Sequence, residues 1–173
     1  MTPDSSTAEA SFRPARADDW PAVWRVFRAV VAPGDTYTYP ADIDEDDARA
    51  LWFHVDDAPT VTFVAEIDVE IVGTALLKPN LPGRGSHVAN AGWMVHPDAA
   101  GRGLGRRFAE HVIATAVSLG FTAMQFNAVV ATNARALALW RSLGFETIGV
   151  VPGGFRHPTA GAVDLHIMFR RLV

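Results

Sequence analysis

The sequence contains no cysteine, which excludes disulfide bridges, thiolate metal ligands and a cysteine nucleophile. It has a single lysine, Lys78, and every other basic residue is arginine. A P-loop lysine or a Schiff-base lysine would have to be this one, and its setting, Leu76-Leu77-Lys78-Pro79, suits neither. Positive charge is not in excess either. Fifteen basic residues stand against 19 acidic ones, and the net charge of -4 offers no footprint for a nucleic-acid partner. The first residues lack the basic start and apolar run of a secretory signal, and no apolar stretch is long enough to span a bilayer. A cytoplasmic protein without a membrane partner is the expectation.

What is there is a chain of 173 residues, 49% hydrophobic and with five tryptophans, enough to bury one core without staples. Residues 1–10 are polar and read as a disordered tail; 11–173 read as one domain. A short strand at Phe12–Arg16 is followed by Asp18 or Asp19 as an N-cap and by a helix with an apolar stripe at Trp20, Val23, Trp24, Phe27 and Val30. A second helix is expected over 44–54. The period then changes to that of strands: Val61–Ile67 and Glu70–Lys78 form a hairpin about Asp68-Val69, and His87–His96 adds a third strand. A helix over Gly103–Leu119, a strand over Phe121–Val130 and a helix over Asn133–Leu143 follow. Phe145–Val151 and Ala162–Arg170 are read as strands flanking a loop, Pro152–Gly161, in which Arg156 is either an anion ligand or part of an exposed structural loop. The order predicts an α/β (α+β) fold: a mixed sheet with helices on both faces.

The most informative stretch is Val95-His96-Pro97-Asp98-Ala99-Ala100-Gly101-Arg102-Gly103-Leu104-Gly105-Arg106-Arg107. A strand ends, a loop rich in glycine follows, and an amphipathic helix begins. Glycines allow close approach of an anion, and the unpaired amides at a helix start point toward it with the macrodipole behind them. Arg102, Arg106 and Arg107 add positive charge. The pattern reads as a pyrophosphate cradle or simply as a left-handed strand-to-helix turn. Its Gly-x-Gly-x-Gly spacing is neither the dinucleotide fingerprint nor a P-loop.

The stretch resembles the pyrophosphate loop of the GNAT superfamily of N-acetyltransferases. A second element, Asn133-Ala134-Arg135-Ala136-Leu137-Ala138-Leu139-Trp140-Arg141-Ser142-Leu143-Gly144-Phe145, is similar to that family's Asn-x-x-Ala-x-x-Leu-Tyr-x-x-x-Gly-Phe, and Phe12-Arg13-Pro14-Ala15 is similar to its start. The resemblance implies a mostly antiparallel sheet splayed at the coenzyme site, with acetyl-CoA as cosubstrate and no metal. Gly101 through Arg106 (Gly101, Arg102, Gly103, Leu104, Gly105, Arg106) would hold the pyrophosphate. Met94, Val95 and His96 would pair with the pantetheine arm, and a backbone amide near Val95 would polarise the thioester carbonyl. Asn133 would contact the coenzyme. The sequence departs from the family at Ala100, where a Gln or Arg is usual, and at Trp140, where the usual tyrosine donates a proton to the leaving thiolate; an indole cannot. Trp140 then either packs against the coenzyme arm or belongs to the core.

For the acceptor, the resemblance points to Tyr37 and Tyr39, in the loop between the first two helices; packing is the other reading of both. His96, Glu66 and Asp164 are candidate bases. Two asparagines in strands, Asn90 and Asn127, read as edge or bulge residues that satisfy backbone groups; with Trp93 between them they also resemble the arrangement in fungal azetidine-2-carboxylate (proline-analogue) N-acetyltransferases, where the two amides hold the acceptor's carboxylate. The expectation is a one-step N-acetyltransferase for a small amine or amino acid. Antibiotics, polyamines or phosphinothricin-like amines, protein N-acetylation, and a non-catalytic acyl-CoA sensor stay open as alternatives. Homodimers are common in the family.

Overall fold

The computed structural model describes residues 9–101 and 103–173. Seven strands and four helices alternate in the expected order: β1 (Ser11–Pro14), α1 (Trp20–Val31), α2 (Glu45–Trp52), β2 (Val61–Ile67), β3 (Glu70–Pro79), β4 (Val88–Val95), α3 (Leu104–Ser118), β5 (Ala123–Val130), α4 (Ala134–Ser142), β6 (Glu146–His157) and β7 (Gly161–Arg171). The sheet runs β1-β2-β3-β4-β5-β7-β6. Every neighbouring pair is antiparallel except β4 and β5.

The strands sort their side chains between two cores by the period of two. Val64, Leu76 and Met94 face α1 and α2, among Trp20, Val23, Phe27 and Trp52. Their neighbours Phe63, Ala65, Ala75 and Leu77 face the opposite layer, with Phe108 and Val112 of α3 and Leu137 and Trp140 of α4. Helices therefore cover both faces. Ala10, counted with the tail in sequence, is packed into this second core.

Local chemistry accounts for most boundaries. Asp44 Oδ1 accepts the Asp47 N–H at 2.8 Å and starts α2, whose first turn is acidic. The β2–β3 hairpin closes through Asp68 and Val69, both with positive φ (49° and 65°), the twist that a two-residue hairpin requires. Asp19 sits at the start of α1, but its carboxylate does not cap that helix. It accepts the Arg16 N–H at 2.7 Å and a fork from Arg13 (Nη1 to Oδ2, 2.7 Å; Nη2 to Oδ1, 3.1 Å), while Arg13 also reaches Glu66 of β2.

That fork holds Asp19 below the usual carboxylate range, its largest cause being the hydrogen bond from Arg13. A depressed carboxylate stabilises the fold fully above the unfolded-state range and loses the contribution as pH falls through its own lower pKa. Asp19→Asn is expected to lower stability at neutral pH and to flatten the acid limb of a stability–pH curve. Urea midpoints measured as a pH series check this; equal acid slopes in both proteins would overturn it.

One expectation needs correction. The segment from Pro152 is not a loop: β6 continues through it to His157, and only Pro158, Thr159 and Ala160 turn back into β7. Proline and glycine read as breakers, but β6 is the sheet's edge strand, where a missing N–H costs no ladder bond. The register shifts between Val151 and Phe155, and Asp164 Oδ1 receives the Gly153 N–H at 2.8 Å within the irregularity. No helix among the described residues is long and apolar enough to cross a membrane.

Candidate active site

The sheet has one weak seam. β4 and β5 pair only at Val88–Ala123 and Ala89–Met124, after which the two parallel strands diverge. Asn90 Nδ2 donates to the Gln125 carbonyl at 2.9 Å, just past the last ladder pair. The resulting gap passes through the sheet. Thr36–Tyr39, Trp52, Leu76, Lys78, Asn90 and Gly92 line it toward α1 and α2; Ala91, Trp93, Phe126, Ala136 and Trp140 line it toward α3 and α4.

The backbone of β4 is polarised toward this gap. Val88 accepts from Asn80 at 2.8 Å and His96 donates to Val72 at 2.8 Å, so the even-numbered residues of β4 bond to β3. Alternation along an antiparallel ladder then turns the N–H and C=O of Ala91, Trp93 and Val95 outward, to the side where β5 has departed. The Trp93 carbonyl confirms the direction: it accepts the Tyr37 hydroxyl at 2.8 Å. The Val95 amide thus faces the side expected of a polarising group. The Trp93 amide, which sequence reading did not single out, faces the same way.

At the open end of the gap, β4 passes through a short turn into α3. Gly101 and Gly103 have φ of +91° and +72°, and a Cβ added to either would meet nothing within 4 Å. The backbone there is open to a ligand, and Gly103 is the N-cap of a 15-residue helix, with no side-chain cap bond. Leu104 is buried and anchors the first turn, so its part in the cradle is its amide; Gly105 lies over Leu139 of α4. Arg106 is tied to the protein by Glu110 (3.2 Å) and Ser142 (2.5 Å). Arg102 lies outside the described residues.

Asn133 caps α4, its Oδ1 accepting the Ala136 N–H at 3.1 Å, which leaves its amide NH₂ as the group a ligand can use. Trp140 belongs to the core and also forms part of the gap wall. It is 9% exposed within a cluster of Trp93 (4.8 Å), Phe126 (4.8 Å) and Phe145 (6.1 Å), and it lines the gap. Met94 offers the gap neither group: its side chain is core, and as an even-numbered residue of β4 opposite Thr74 its peptide bonds to β3.

On the other side, Tyr37 and Tyr39 stack at 5.7 Å, and both line the gap. Burial pushes both phenols up. With its O–H spent on the Trp93 carbonyl, Tyr37 is a wall and a positioning contact. Gly92 makes room for it: a Cβ there would lie 3.2 Å from the Tyr37 hydroxyl and 3.1 Å from Trp52. Asn127 sits where β5 bulges against β7, between Phe126 and Val129. Its amide donates to Asn80 Oδ1 at 2.7 Å and accepts from Gln125 Nε2 at 2.9 Å, so Asn80, Gln125 and Asn127 form a chain of carboxamides near the seam.

Four expected residues fall elsewhere. The His96 ring lines a separate depression with Arg25, Asp68 and Glu70, and its Nδ1 lies 3.6 Å from Asp98. His96 follows the last residue of β4, where its ring sits beside the β2–β3 hairpin and outside the lining of the gap. Arg156 is exposed on the edge strand β6, opposite Ala162, and does not line the gap. Glu66 is held by Arg13, and Asp164 by Gly153. Sequence reading missed Lys78, Asn80, Gln125 and Thr36. Among the described residues, the two buried polar side-chain atoms without a partner, Thr36 Oγ1 and Trp93 Nε1, both belong to gap-lining residues.

The acetyltransferase (GNAT) family profile matches residues 23–145. N-acetyltransferase aca1 of Schizosaccharomyces pombe is 37% identical over 106 residues, which are 60% of this chain and 51% of that protein. The chain thus spans about half the length of this curated relative. A GCN5-related N-acetyltransferase from Kribbella flavida superposes with a TM-score of 0.89 at 45% identity, over 94% of this chain and 97% of that one. A GNAT superfamily phosphinothricin acetyltransferase from Sinorhizobium meliloti, solved in complex with AcCoA, shares the fold with a TM-score of 0.83 at 20% identity, over 94% of this chain and 88% of that one. With a profile match across well over half its length, set on a splayed sheet and a glycine-rich helix start, the chain belongs to the GNAT family of acetyltransferases.

Proposed function

We propose that the protein is an acetyl-CoA-dependent N-acetyltransferase acting on a small amine or amino acid. The observation that carries this reading is the seam: β4 stops pairing with β5 after two residues and turns the peptide groups of Ala91, Trp93 and Val95 into the gap, at whose open end α3 begins. The residues fit an extended ligand with an anionic end. The Val95 and Trp93 peptides would hold its arm as an added strand, the amides from Gly101 to Gly105 its pyrophosphate, and the Asn133 amide a further polar group. When bound, acetyl-CoA supplies an acetyl thioester that an amine attacks directly, the C–N bond forming as the C–S bond breaks.

The chain's part is to position, polarise and exclude. The outward amides of β4 stabilise charge on the thioester oxygen. Trp93, Phe126 and Trp140 give the gap a dry wall. Among the described residues no aspartate, glutamate or histidine lines the gap, and a solvent route for the amine's proton and for protonation of the thiolate fits that lining. The acceptor comes from the α1–α2 side, past Tyr37 and Tyr39.

Initial velocities measured against both substrates test the one-step scheme. Intersecting double-reciprocal lines and an unmodified protein mass after incubation with acetyl-CoA are expected. Parallel lines with an acetylated protein would refute direct transfer. Tight binding of acetyl-CoA without thiol release for any amine would favour a coenzyme sensor.

A further inference from the structure

Lys78 stands near the end of β3, directly opposite Asn90 on β4, and lines the α1–α2 side of the gap. It forms no ion pair among the described residues. Among the described residues no acidic side chain lines the gap, although acidic residues outnumber basic ones in the chain as a whole. The polar side chains nearest along the strands are neutral carboxamides: Asn90 beside it on β4, Asn80 two residues on in its own chain, and Asn127 across the seam. An uncompensated ammonium beside an amide-lined cleft attracts an anion and repels a second cation.

We propose that Lys78 binds the carboxylate of the acceptor, so that the acceptor class is amino acids with a free carboxylate and not simple amines or polyamines. This rests on the acetyl-transfer reading above and adds the substrate class to it. The placement suits the task. Asn90 and Trp93 are three residues apart on β4, a span of ~10 Å, and the lysine's flexible four-carbon arm covers much of it. An acceptor held at this end by its carboxylate presents its nitrogen toward the outward amides of Trp93 and Val95. Asn90 and Asn127 assist as neutral donors. Each has one amide proton committed within the protein, to Gln125 and Asn80 respectively, and one left.

The experiment compares free amino acids with the same amines lacking the carboxylate, such as proline with pyrrolidine, in wild type, Lys78→Met and Lys78→Arg. Acetyl-CoA affinity reports that each variant is folded. The wild type is expected to prefer the carboxylate member of each pair. In Lys78→Met the ratio of kcat/KM for proline over pyrrolidine should fall roughly 10- to 100-fold, mainly through KM, and Lys78→Arg should recover most of it. A ratio untouched in Lys78→Met, or a wild type that prefers pyrrolidine or putrescine, would overturn the assignment while leaving acetyl transfer intact. If no amine is acetylated, the acetyl-transfer reading fails. Calorimetric titration of proline and pyrrolidine into protein saturated with coenzyme A then decides the role of Lys78. Proline binding that is lost in Lys78→Met supports the assignment, and proline binding that is absent in wild type or retained in the variant overturns it.

Discussion

Gly103→Asp is expected to weaken acetyl-CoA binding about a hundredfold while the protein remains folded. Gly103 sits at φ +72°, ψ 0° as the N-cap of α3. Aspartate and asparagine are the side chains that best tolerate this left-handed conformation, so the backbone strain is modest. A Cβ at this position meets nothing within 4 Å, so nothing inside the protein is displaced. What changes is charge: a carboxylate now stands at the helix end whose amides would hold a pyrophosphate, and it competes for the same donors. Gly103→Asn separates the effects, since it brings similar volume and the same backbone demand without the charge. Fluorescence or calorimetric titration with acetyl-CoA in both variants checks the prediction, and equal losses for Asp and Asn would show that shape, not charge, is being read.

The second large effect concerns stability. Trp52→Ala is expected to cost about 3–5 kcal/mol and to lower the Tm by roughly 10 °C or more. Trp52 is 1% exposed, with Phe27 edge-on at 5.7 Å and Tyr37 edge-on at 6.0 Å. Its Nε1–H donates to Thr74 Oγ1 at 3.0 Å, and Thr74 donates in turn to the Phe63 carbonyl at 3.0 Å. Its own carbonyl accepts from Thr62 at 2.6 Å. Thr62 and Thr74 are both fully buried, so the tryptophan joins α2 to β2 and β3 through polar groups that have no access to water. Trp52→Phe keeps most of the ring contact but leaves Thr74 without its donor, and should cost about 1–3 kcal/mol. Denaturant unfolding of the two variants gives both values; similar losses for Ala and Phe would place the energy in the hydrogen bond and not in the packing.

The order of elements was legible because each strand and helix keeps its own period and its own stops. Asp68-Val69, Gly120 and Gly144 punctuate the chain where the structure turns, and Asn133 caps the helix its spacing assigned to it. Pro152 misled because a breaker in the middle of a sheet is harmless at its edge, and edge position is a property of the strand order, which no local window contains. His96 misled for a related reason. Its distance from the glycine loop is right, but past the end of β4 the ring sits beside Asp68 and Glu70. Lys78 was judged by its neighbours in the chain, whereas its relevant neighbour is Asn90, met through the β3–β4 register. For Asn127 the sequence leaves a bulge residue and a carboxylate donor as the two readings, and only the folded chain shows the bulge and the Asn80 and Gln125 side chains on either side of its amide.

The two ladder pairs between β4 and β5 mean that the protein is built as two plates, β1-β2-β3-β4 and β5-β7-β6, with little main-chain bonding across the join. A ligand lying along the outward peptides of β4 bridges an edge that the polypeptide leaves open. Occupancy and folding are then linked equilibria: a ligand at a hundred times its Kd adds about 2.7 kcal/mol to the stability of whatever binds it. Under the proposed function acetyl-CoA would be such a ligand, and the stability of the folded chain would then follow the supply of coenzyme as well as the sequence.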